Sequence, residues 1–111
     1  MLGEYLIGII EVNDKRLLTS KDMLKGHVLS ACEKHGLRVV GEKCHIFKAP
    51  KAFTYCFILS QSHFILHSWP EENKLAFDIF TCSLEKNAEQ CVKMLSDSIN
   101  GKILSIKKIQ I

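Results

Sequence analysis

The stretch from Phe53 to Cys82 limits most strongly how this chain can fold. It holds FTYCFILS, SHFILHSW and KLAFDIFTC, three apolar runs separated by only a few polar residues. In the last run Leu75, Phe77, Ile79 and Thr81 alternate with Ala76, Asp78, Phe80 and Cys82. That period of two puts successive side chains on opposite faces of a sheet. The run over residues 53–60 either continues or folds back at SHFILHSW. Pro70 lacks an amide hydrogen and ends the ladder after Trp69. Asn73 lies in the turn that leads into KLAFDIFTC.

The flanks supply the other elements. EYLIGIIEV, residues 4–12, is apolar and β-branched and reads as a buried strand, with Asn13-Asp14 turning the chain. Ser20 is the expected N-cap of a helix over 21–35, with Leu24, Val28, Ala31 and Cys32 on one face and Gly36 as its stop. LRVVGEKCHIF gives a strand over 37–47, followed by a loop through Lys48-Ala49-Pro50-Lys51. Ser83 is the expected cap of a second helix with an apolar stripe of Leu84, Ala88, Cys91, Val92, Leu95 and Ile99. Gly101 ends that helix, and KILSIKKIQI closes as a strand.

The expected order is β-α-β-β-β-β-α-β in a single domain spanning 1–111. Two helices cannot cover both faces of six strands. The fold class is therefore α+β, a two-layer sandwich with a mainly antiparallel sheet and both helices on one face. The other sheet face is left bare. A second copy packed sheet to sheet would cover it, so a homodimer is expected.

Charge and cysteine usage narrow the function classes. The net charge of +3 comes from scattered lysines, and no nucleic-acid motif accompanies it. No run approaches the roughly 18 apolar residues that a membrane span needs. MLGEYLIGIIEV carries an early acidic residue and no small-residue cleavage site, which argues against a signal peptide. Five cysteines, an odd number without a CxxC pair, point to reduced thiols in the cytoplasm and give no support to a structural zinc site.

QSHFILHSWPE, residues 61–71, is dense in chemistry for a strand. Taken singly its residues are unremarkable. A strand serine is usually a satisfied polar group. His63 and His67 share strand parity and could bind a metal together, yet no third ligand has a suggestive spacing. Cys82 alone would be a core residue.

The combination is more specific. Ser62-His63-x-x-x-His67-x-Trp69-Pro70-Glu71, followed by Phe80-Thr81-Cys82, resembles the small prokaryotic type of S-adenosylmethionine decarboxylase. That family reads approximately Glu-Ser-His-x-x-x-His-Thr-Trp-Pro-Glu, then an alternating strand ending Phe-Thr-Cys. Leu2-Gly3 at the first strand and His45-Ile46-Phe47 at a strand end extend the resemblance. Gln61 replaces the usual glutamate before the serine, and Thr54-Tyr55 a usual Ser-Gly.

The resemblance implies a proenzyme that makes its own cofactor. Ser62 would attack the carbonyl of Gln61, and elimination would split the chain into a β chain, 1–61, and an α chain, 62–111, capped by a pyruvoyl group. That group would form a Schiff base with the substrate amine and act as the electron sink for decarboxylation. By the same resemblance His67 is the processing base, Thr54 the processing hydroxyl and Cys82 the proton donor. Phe47 would stack on adenine and Glu71 would hold the ribose hydroxyls. The product would be the aminopropyl donor for spermidine synthesis, made by a homodimer of αβ protomers. Two other readings stand beside it. One is a pyruvoyl-dependent decarboxylase of arginine or ornithine. The other is an uncleaved, non-catalytic homologue, suggested by Gln61 and Tyr55.

Overall fold

The computed structural model describes residues 2–48, 51–82 and 87–111. Its strands are β1 (Gly3–Glu11), β2 (Val39–Lys48), β3 (Lys51–Leu59), β4 (Ser62–Trp69), β5 (Lys74–Cys82) and β6 (Lys102–Gln110). Its helices are α1 (Lys15–Thr19), α2 (Lys21–Lys34) and α3 (Ala88–Ser98), with a 3-10 turn over Pro70–Glu72. The sheet order is β2-β3-β4-β5-β1-β6, and every neighbouring pair is antiparallel. Strands β2 to β5 form a meander. β1 inserts between β5 and β6.

The run over residues 53–60 does fold back. Ser60-Gln61 makes a two-residue turn, closing a hairpin in which Leu59 faces Ser62 and Thr54 faces His67. Pro70 ends β4 as expected and starts the 3-10 turn, which Asn73 closes in the left-handed region at φ 55. Lys15 Nζ ties this turn to α1, donating to the Pro70 carbonyl and to Asn73 Oδ1 at 2.8 Å.

Three details of the helical layer differ from the sequence reading. Residues 13–19 hold α1 as well as a turn, because the Asp14 carboxylate accepts from the Arg16 amide and caps a short helix. Ser20 sits at the N-cap of α2 but makes no side-chain capping bond there. Asn100, at φ 52, takes the left-handed position after α3 expected of Gly101. Gly101 serves close approach instead: a Cβ there would lie 2.6 Å from Ile10 Cγ2. Ser83 and Leu84 lie outside the described residues, and α3 begins at Ala88.

The core fills one side of the sheet. Phe53, Tyr55, Phe57, Phe64, Leu66 and Ile79 point to it from the strands, and Leu18, Leu24, Val28, Val92 and Leu95 from the helices. Burying one such side chain contributes about 1.5–3 kcal/mol, and the period of two along β5, and along β3 from Phe53 and β4 from Phe64, commits one face of each strand to this layer. The opposite face carries Ile7, Ile58, Trp69 and Ile109, all substantially exposed.

Gly8 lets β1 pass under the Phe77 ring. A Cβ there would meet the Ser105 carbonyl oxygen at 2.2 Å and Phe77 Cζ at 2.7 Å. Gly8→Ala should therefore lower stability by about 1–3 kcal/mol. Urea unfolding of the variant beside its parent measures it.

Candidate active site

Strand parity sorts the candidate residues. On β4, Phe64, Leu66 and Ser68 are buried beneath the helices, whereas His63, Ile65, His67 and Trp69 line the open face. The open face carries two groups of candidate side chains, one at each end of β4.

At the hairpin end stand Gln61, His63 and Cys82. The Cys82 thiol donates to Gln61 Oε1 at 2.9 Å, across the residue that precedes Ser62. His63 Nε2 lies 3.1 Å from Asp78 Oδ1, and its ring packs against Tyr5 and Phe80 with centroids 5.8 and 6.0 Å away. Ser62 shares the parity of Phe64, so its side chain points to the helix layer. Its Oγ is buried and has no hydrogen-bond partner among the described residues.

At the other end stand His45, Phe47, Thr54, His67 and Trp69. Thr54 Oγ1 and His67 Nδ1 are 2.7 Å apart, on residues directly opposite in the β3–β4 ladder. The Phe47 ring, 39% exposed, lies 5.7 Å from His67 and 4.8 Å from His45. His67 in turn packs on Trp69 at 4.7 Å. Glu71 is exposed in the 3-10 turn beyond.

The structure thus brings Thr54 to His67, places Phe47 beside them, and brings Cys82 to Gln61. It does not bring His67 to Ser62 within one chain. Five residues of strand put them about 16 Å apart, and an odd spacing puts them on opposite faces.

Tyr55 is far from this chemistry. It faces the helices, 1% exposed, stacked on Phe57 at 4.3 Å, and its hydroxyl donates to Glu42 Oε1. Glu42 also takes Lys25 Nζ at 2.9 Å. Burial, then the bond to Glu42, holds the phenol well above its usual range, while the Tyr55 and Lys25 bonds hold the Glu42 carboxyl below its own. The ring therefore does not crowd Thr54, and the uncleaved reading loses that support. Sequence reasoning had passed over Asp78, His63 and Tyr5 as a group. The alternation in KLAFDIFTC, which puts Asp78 on the face of Cys82, was the signal for it.

The architecture is that of a known decarboxylase fold. The chain superposes on the crystal structure of the adenosylmethionine decarboxylase from Aquifex aeolicus with a TM-score of 0.79 at 19% identity, over 97% of this chain and 87% of that one. The profile of the S-adenosylmethionine decarboxylase family matches residues 4–110. Similar sequences include S-adenosylmethionine decarboxylase proenzymes of Clostridium kluyveri, 28% identical over 98% of this chain and 86% of the relative, and of Prochlorococcus marinus, 27% identical over 99% and 87%. The chain belongs to the S-adenosylmethionine decarboxylase family, as its motif indicated.

Tyr55→Phe should lower stability by about 1 kcal/mol near neutral pH, the worth of one hydrogen bond. Because the Glu42 carboxyl is held low in the folded state, that contribution is present above the ordinary carboxylate range and fades as pH falls through the folded value. Melting curves of the two proteins should therefore converge in acid.

Proposed function

We propose that this chain is the precursor of a pyruvoyl-dependent S-adenosylmethionine decarboxylase that cleaves itself before Ser62. The observation that carries the reading is the hairpin end of β4. There a serine whose buried hydroxyl has no partner among the described residues follows a two-residue turn, and the Cys82 thiol rests on the residue before it. A hydroxyl without partners is an exception among buried polar groups and suits a nucleophile held ready. Its target is the backbone carbonyl of residue 61, which glutamine provides as well as glutamate. The orphaned Oγ thus fits the group that Ser62 would become.

The processing steps use the chain's own atoms. Ser62 Oγ bonds to the Gln61 carbonyl carbon, the C–N bond breaks, and an ester replaces the peptide. A base then takes the Ser62 α-proton and the Cβ–Oγ bond breaks, leaving the β chain, 1–61, and the α chain, 62–111. Water completes the conversion of the new terminus and releases ammonia. The pyruvoyl group supplies the electron sink for loss of the substrate carboxyl group. Cys82 Sγ holds the proton that returns to the substrate α-carbon. Phe47 offers a flat face for adenine, and Glu71 a carboxylate for the ribose diol.

His67 and Thr54 enter this scheme from a second copy. Packing the two open faces about a two-fold axis lays the His67 end of one β4 over the Ser62 end of the other. The homodimer then holds two sites, each with Ser62 and Cys82 from one protomer and His67 and Thr54 from its partner. The exposed Ile7, Ile58 and Ile109 are what such packing would cover. The product is the aminopropyl donor for spermidine synthesis. Five free thiols suit a reducing cytoplasm, and no described helix is long and apolar enough to cross a membrane.

Purified protein should show chains of residues 1–61 and 62–111, and Ser62→Ala only the intact chain. His67→Ala should stall at the ester, which hydroxylamine cleaves. Co-expressing Ser62→Ala with His67→Ala should restore cleavage of the His67→Ala chain, read by intact mass. No cleavage in that mixture would remove the shared site.

Substrate choice rests on Phe47. Phe47→Ala should raise the KM for S-adenosylmethionine about five- to tenfold, on the order of 1 kcal/mol of stacking, with processing intact. Turnover of arginine or ornithine in place of S-adenosylmethionine would transfer the site to a basic amino acid. Cys82→Ala should lose most turnover in protein that has already cleaved.

A further inference from the structure

We propose that Thr81 is a positioning residue for the Ser62 nucleophile, which rests on the self-cleavage reading above. Among the described residues two buried side-chain oxygen or nitrogen atoms have no hydrogen-bond partner: Ser62 Oγ and Thr81 Oγ1. The β4–β5 ladder begins with His63 opposite Phe80, and the same antiparallel register carried one step further sets Ser62 against Thr81. Side chains directly opposite in an antiparallel pair have Cβ atoms about 4.5–5.5 Å apart, and Ser–Thr hydrogen bonds are a recurring cross-strand contact. Both residues also share a face. Thr81 is 1% exposed and points with Leu75, Phe77 and Ile79 into the helix layer.

Elsewhere in this layer a buried hydroxyl is used. Ser68 Oγ, fully buried, accepts from the Phe53 amide at 3.0 Å. Ser62 Oγ and Thr81 Oγ1, without a partner among the described residues, are a different arrangement. The other hydroxyl and thiol of the site are directed away. Thr54 is bonded to His67 at the far end of the open face, and the Cys82 thiol is bonded to Gln61 on that same face. Thr81 shares with Ser62 the face that points to the helix layer.

Its role follows from the geometry of the first step. As Ser62 Oγ turns to the Gln61 carbonyl carbon, Thr81 Oγ1 accepts its hydrogen bond and fixes the rotamer that aims the lone pair. The Oγ–C bond forms, the C–N bond of the peptide breaks, and the hydroxyl proton passes to the departing nitrogen. Thr81 keeps its own proton, and the step needs no other reactant.

The test isolates that step in chains that lack the elimination base. In His67→Ala protein made by cell-free synthesis, the hydroxylamine-cleavable ester is followed with time, alone and combined with T81V or T81S. T81V should slow ester formation at least tenfold, and T81S should return it to within about twofold of the His67→Ala parent. Because valine removes an unpartnered hydroxyl and keeps the shape, T81V should melt at or above the parent temperature. A merely structural threonine predicts the reverse, lower melting with an unchanged rate. Should T81V fail to fold by circular dichroism, T81A, which only removes atoms, takes its place. An ester that forms as fast in the variant as in its parent overturns the role of Thr81 and leaves self-cleavage standing. Wild-type protein that never cleaves overturns both.

Discussion

The antiparallel pairing of β4 with β3 and β5 is the constraint on which the site depends. The two-residue turn at Ser60-Gln61 fixes which residue of β3 faces which residue of β4. That register puts Thr54 against His67, and on the other side it puts His63 against Phe80, one step from Ser62 and Thr81. A slip of one residue would move every side chain of β4 to the wrong face. Phe64, Leu66 and Ser68 would leave the core, so the hydrophobic layer enforces the register that the chemistry uses.

The same pleat divides the site. Within one chain the odd spacing from Ser62 to His67 separates the proposed nucleophile from the proposed base by face as well as distance. On the proposed reading, a monomer with this register holds two half-sites along one strand, each provided with its own groups. The bare sheet face joins them into a single requirement: the surface that needs covering is also the surface on which the two halves can meet.

Much of this was legible in the sequence. The strands follow from period-two alternation bounded by Asn73 and Pro70, and their observed limits differ from the expected ones by at most two residues; Ala49 and Pro50, in the expected loop, lie outside the described residues. α1 was not legible, because five residues make too little periodicity to detect and its cap, Asp14, reads equally well as a turn residue. Asn100 shows how a glycine one position away can claim a role that a neighbour performs. The site residues came from the motif, whereas their distribution over two faces required parity to be followed from Ser62 through Thr81. Parity was applied to His63 and His67 and would have separated Ser62 from His67 and Tyr55 from Thr54. What no pattern could supply was the pair of unpartnered hydroxyls, since satisfaction of a polar group is a property of three-dimensional surroundings.

The placement of β1 between β5 and β6 has a consequence for the life of the molecule. If the peptide before Ser62 is cut as proposed, β1, β2 and β3 belong to one polypeptide and β4, β5 and β6 to another. β1 is then flanked on both sides by strands of the other polypeptide, and β3 is zipped to β4. Folding of the precursor is a first-order event, but recovery of the cut protein from an unfolded state becomes second-order and depends on concentration. The covalent continuity needed to find the fold is discarded once it has been found. Such a protein is matured in one direction, and its persistence is governed by how slowly it opens.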